Sequence, residues 1–135
     1  MPHQIIEYSR NVEDFLDIAE LVKTMHATAV GIDALPTGGI RTRAVRRDLY
    51  EIADGHPDNT FINVTLRIAE GRPLEVRQAT GEALFAALTE FVSGVFDQQP
   101  MSLSCEIQEI KPDTRWKKSN IRDYMAQREA GKADV

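Results

Sequence analysis

The 135-residue sequence predicts an α+β fold of βαββαβ order, a four-stranded sheet covered on one face by two helices. Three observations carry this. Residues 61–68, FINVTLRI, alternate strictly, with Ile62, Val64, Leu66 and Ile68 on one face and Phe61, Asn63, Thr65 and Arg67 on the other, the pattern of a half-buried strand. Two stretches, around residues 15–29 and 76–95, repeat apolar residues at three- and four-residue steps as amphipathic helices do. Each stretch lies between two β-prone segments, so each helix crosses the sheet to a roughly parallel strand, and right-handed crossovers put both helices on the same side.

The elements follow in order. His3 to Tyr8 is β-prone, with Ile6 and Tyr8 on one face. Asn11 and Asp14 offer N-cap side chains for a helix carrying Phe15, Ile18, Val22, Met25, His26 and Ala29, which Gly31 ends. LPTGGI (35–40) is an irregular loop. Ile40 to Ile52 reads as a long, Arg-rich strand with a bulge, and ADGHPDN (53–59) as a turn into the Thr60 strand. Pro73 opens a long helix running to Phe96. After Pro100, MSLSCEIQEI (101–110) is the fourth strand, with Met101, Leu103, Cys105 and Ile107 inward. The chain 1–135 reads as a single domain in which 116–135 is a C-terminal extension, weakly helical at Ile121, Tyr124 and Met125 and frayed from Gly131. The sheet face away from the helices stays bare and carries Phe61, so association through it is expected.

Composition narrows the function. A net charge of −5 argues against nucleic acid as a partner. An RNA-recognition domain of the same element order would need stacking aromatics on its central strands, and FINVTLRI has one. The absence of a basic start followed by an apolar run, and of any apolar run of spanning length, makes the cytoplasm the expected location, with no membrane partner. The single cysteine, Cys105, excludes an internal disulfide and reads as a buried, inert thiol. His3, His26 and His56 have no metal-ligand spacing; His26 suits a boundary position, His56 an exposed turn, and His3 can help orient a site. No nucleophile elbow or phosphate loop is present. Trp116, the sole tryptophan, suggests packing or subunit contact.

What remains is an amine and a supply of arginines. Pro2 follows the initiator methionine, a small second residue that favours methionine removal, and it would then be a free secondary amine. Such a group is mostly protonated at neutral pH unless its environment intervenes. A guanidinium about 6 Å away, at an effective dielectric of about 20, costs the ammonium form about 3 kcal/mol, or about two pKa units. IRTRAVRR places Arg41, Arg43, Arg46 and Arg47 within seven residues. They read either as a solvated strand edge or as an anion site in an acidic protein. In the second case one device serves as base and anion clamp, and a small carboxylate is the expected substrate.

MPHQIIEYS, GIRTRA, the ADG turn and the AEGRP to GEALF segment, in that order, resemble the 5-carboxymethyl-2-hydroxymuconate isomerases of the tautomerase superfamily, over Met1 to about Tyr124. The resemblance implies a homotrimer with no cofactor. It implies keto-enol isomerisation of a muconate-type di- or tricarboxylate from aromatic-compound degradation. Pro2 matches the family's general base, and Arg41 and Arg72 match its catalytic and substrate-binding arginines, with Arg43 beside them as a further substrate-binding candidate. The alternative of another class is a non-catalytic, ferredoxin-like small-molecule-binding or oligomerisation domain in which Pro2 only opens a strand.

Overall fold

A computed structural model describes residues 1–133. Strands β1 (His3–Ser9), β2 (Arg41–Arg47), β3 (Thr60–Ala69) and β4 (Met101–Ile110) form one sheet in the order β2-β1-β3-β4. β1 pairs parallel with β2 and antiparallel with β3, and β3 pairs parallel with β4. Helices α1 (Ile18–Val30) and α2 (Leu74–Phe91) make the two crossovers; α1 packs on β2 and α2, and α2 packs on β4. The short helix α3 (Ser93–Phe96) follows α2, and α4 (Ile121–Ala133) closes the described chain. The expected order and one-sided sheet are therefore present.

The core lies between helices and sheet. Ile6, Ile62, Val64, Leu66 and Ile68 meet Leu21 and Met25 of α1 and Leu84 and Leu88 of α2, all fully buried. Met101, Leu103, Cys105 and Ile107 pack against this core from the edge strand but remain half-exposed. Cys105 is thus half-buried rather than sealed, and burial raises its thiol pKa. Gln4 is a buried polar residue that ties three elements together: its amide donates to the Met25 carbonyl of α1 and to Thr42 Oγ1 of β2, each at 3.1 Å. Thr42 Oγ1 also meets His26 Nδ1 at 2.8 Å, so His26 is the boundary histidine its pattern suggests.

Four local expectations are corrected. Helix α1 begins at Ile18, with the Asp17 carboxylate accepting from Glu20 N at 3.2 Å. Asn11 and Asp14 lie instead in a preceding 3-10 turn, Arg10–Asp14, and the Asn11 amide donates to the Pro57 and Asn59 carbonyls. β2 is shorter than expected and has no bulge; its register to β1 runs unbroken from His3↔Arg41 to Ser9↔Arg47, and Leu49 beyond it is exposed. The long second helix stops at Phe91 and resumes for one turn, where Ser93 and Gly94 weaken helical propensity. The tail is a regular helix that includes Gly131; for residues 134–135 the expected fraying lies outside the described residues.

Leu84→Ala is expected to cost about 2–5 kcal/mol through the cavity it leaves, and Asp17→Ala about 1 kcal/mol through loss of the cap. Urea denaturation checks both: the midpoint should fall with the slope unchanged.

Candidate active site

The amino-terminal end of β1 is flanked on both sides by arginine. His3 is opposite Arg41 on β2 and opposite Arg67 on β3. Because side chains alternate along a strand, and Gln4, Thr42 and Leu66 face the helices, His3, Arg41 and Arg67 share the open face. Pro2 is buried, and its carbonyl accepts the Arg41 backbone N–H at 3.0 Å, extending the β1–β2 ladder to the chain end. Gly39 lies directly against it: a Cβ there would stand 3.1 Å from Pro2 Cδ and 3.2 Å from Met1 Cα. A side chain at position 39 would require the chain start to give by a few tenths of an ångström.

Two cavities of about 330 Å³ each adjoin Met1. One is lined by His3, Arg41, Arg67, Ile110, Arg115 and Trp116, the other by Gly38, Gly39, Ser119 and Arg122, and Met1, Lys117 and Lys118 line both. Six of the chain's 16 Lys and Arg residues thus converge there, and among the described residues no Asp or Glu lines either cavity. Among the described residues none of the six forms a salt bridge. In a protein with a net charge of −5, this is a concentrated, uncompensated positive field.

The field acts on the amine. The Met1 amino group is pushed from 8.0 down to about 6 by burial first, then by Arg115, Lys117, Arg41 and Arg72. Arg115 also donates to the Met1 carbonyl at 3.4 Å. His3 is lowered as well, by burial and then by Arg43, Arg41 and Arg67. Arg43 Nη1 donates to His3 Nδ1 at 3.2 Å, which fixes the neutral ring's proton on Nε2.

The residues singled out from sequence divide accordingly. Arg41 lines a cavity, and its Nη1 donates to the Gly39 carbonyl at 3.1 Å. Arg43 is exposed behind His3 and lines neither cavity. Arg72 follows Gly71, whose φ of +119° suits glycine; the turn folds the Arg72 guanidinium back onto the Ala34 and Ala69 carbonyls, at 3.0–3.1 Å. It reaches the amine through its charge and leaves two N–H groups uncommitted. Arg46 pairs with Glu13 and Asp48, and Arg47 with Glu7, so the solvated-edge reading holds for that half of the arginine run. Trp116 is 86% exposed at a cavity wall rather than packed within the chain. Sequence reasoning passed over Arg67, Arg115, Lys117, Lys118 and Arg122. The available signal was RWKKSNIR (115–122), four cations without an acid.

The model of a family described as 5-carboxymethyl-2-hydroxymuconate isomerase matches residues 2–125. A curated 5-carboxymethyl-2-hydroxymuconate Delta-isomerase from Escherichia coli is 34% identical over 121 residues, 90% of this chain and 96% of its own. The crystal structure of a 5-carboxymethyl-2-hydroxymuconate isomerase from Deinococcus radiodurans R1 superposes with a TM-score of 0.84 at 38% identity, over 92% of this chain and 93% of that one. A second crystal structure, of a 5-carboxymethyl-2-hydroxymuconate delta-isomerase, gives 0.85 at 26% identity over 93% of each chain. Since the match spans all four strands, both crossover helices and the cationic end of β1, the chain belongs to the 5-carboxymethyl-2-hydroxymuconate isomerase family, a family of isomerases.

Proposed function

We propose that this isomerase is a cofactor-independent tautomerase of unsaturated oxo- or hydroxy-dicarboxylates and tricarboxylates, with 5-carboxymethyl-2-hydroxymuconate as its substrate and the Pro2 nitrogen as its base. The observation that carries the reading is an amine at the start of β1 held well below its ordinary pKa by burial and by unpaired cations. In the chain as described that amine belongs to Met1, and Pro2 contributes an amide. Removal of Met1 transfers the free amine to Pro2 within the same field. It also takes away a residue common to the walls of both cavities, leaving a larger space at the proline nitrogen.

The reaction follows from those charges. Neutral Pro2 takes the proton of the 2-hydroxyl, the oxygen lone pair becomes the C2 carbonyl, and the electron pair displaced through the conjugated diene takes up a proton at C5 from protonated Pro2. Proton count and charge are conserved, and the base is regenerated. Arg41 stabilises the oxygen or its neighbouring carboxylate as negative charge moves through them, and its planar guanidinium suits bidentate carboxylate pairing. Arg72 acts by orienting the 34–36 loop and by its charge, with its two uncommitted N–H groups available to substrate. Arg43 holds His3 in one tautomer from outside the cavity. The reading includes a homotrimer assembled through the open sheet face, working in the cytoplasm in the degradation of aromatic compounds.

Four outcomes are expected. Intact-mass measurement of the active protein should show a chain lacking Met1, and Pro2→Ala should lower kcat by about 10²–10⁴-fold with the oligomeric state unchanged in light scattering. The kcat/KM profile should fall on the acid side, since the ammonium form has no lone pair, through a pKa below the ordinary α-amine value of about 8. Arg41→Ala should raise KM about tenfold or more and move that acid limb to higher pH, because removing a cation relieves the ammonium form; an unshifted limb and full activity would remove Arg41 from the site.

A further inference from the structure

We propose that residues 117–122 form a second anion subsite, which holds a carboxylate remote from the reacting enol and selects polycarboxylate over monocarboxylate substrates; this rests on the tautomerase reading above and names what its site prefers. The cavity concerned lies between the turn Thr37–Gly39 and the segment entering α4, with Lys117, Lys118, Ser119 and Arg122 on one wall. Helix α4 packs on that turn. Arg122 lies across Gly38 so closely that a Cβ at position 38 would stand 2.6 Å from Arg122 Cγ and 2.7 Å from its Nε. The arginine stem therefore rests on bare backbone beside the cavity, and Arg122 itself stays exposed, as an anion arriving from solvent requires.

Lys117, Lys118 and Arg122 have neither a salt bridge nor a side-chain hydrogen bond among the described residues. Three cations gathered at one cavity repel one another, and an anion among them relieves that repulsion while gaining charge-assisted hydrogen bonds. Lys117 and Lys118 also line the cavity that holds Arg41, so the two spaces adjoin and share these two cations and Met1 as a common wall. A substrate with a single carboxylate is satisfied near Arg41. One with carboxylates at both ends and on a branch reaches the second space as well.

The test is the double variant Lys118→Gln/Arg122→Gln of the full chain. Calorimetric titration with propane-1,2,3-tricarboxylate should show binding weakened about tenfold or more relative to wild type. The ratio of kcat/KM for 5-carboxymethyl-2-hydroxymuconate to that for phenylenolpyruvate should fall by a similar factor, carried mainly by KM. Gly38→Ala, which displaces the Arg122 side chain without removing its charge, should give a smaller change in the same direction. Unchanged or absent tricarboxylate binding in both proteins, or equal losses on the two enols, overturns the subsite. Tricarboxylate binding that depends on Lys118 and Arg122 in a protein that turns over neither enol supports the subsite and overturns the tautomerase reading instead.

Discussion

The constraint on which the rest depends is the burial of an amino-terminal ammonium among cations that repel it. Desolvation alone disfavours a charged amine, and Arg115, Lys117, Arg41 and Arg72 each add to that cost. The group is left neutral and basic at a position where an anion is welcome. Acidic surroundings would make the same amine a permanent cation with no lone pair to offer. Among the described residues no Asp or Glu lines the cavities at the chain start, in a protein that has 21 of them.

The fold supplies this arrangement from distant parts of the chain. Parallel pairing with β2 brings Arg41 beside the first residues of β1, and antiparallel pairing with β3 brings Arg67 to the other side. The buried Gln4, bonded to α1 and β2, holds the start of β1 in that register. The Thr37–Gly39 turn gives the Pro2 ring a floor without a side chain, and the segment after β4 returns over it carrying Arg115, Lys117, Lys118 and Arg122. The core fixes the sheet, and the sheet fixes which charges the amine meets.

Much of this was legible in the residues. Strict alternation gave β3, the helical stripes gave α1 and α2, and the order of elements gave the topology, because each signal comes from a periodicity that burial imposes. The start of the first helix is ambiguous in the sequence because Asn11 is as good a cap in isolation as Asp17; which one serves is decided by Asn11 bonding to the 57–59 turn, a contact 46 residues away. The overlong β2 arose because arginines suit an exposed edge whether or not it is paired. At the site, Pro2 and Arg41 stood out through motif order, while Arg46 and Arg47 could be separated from Arg41 only by seeing their carboxylate partners. The place of RWKKSNIR at the site is not legible in the sequence, because it follows from folding back on the amino terminus, more than a hundred residues away, which no local pattern encodes.

The most direct measurement is an NMR titration of the protein labelled with ¹⁵N-proline, following the Pro2 nitrogen. A titrating secondary amine with a pKa below the ordinary α-amine value of about 8 is expected. A Pro2 nitrogen that behaves as an amide, or one that titrates at or above that value, would contradict it.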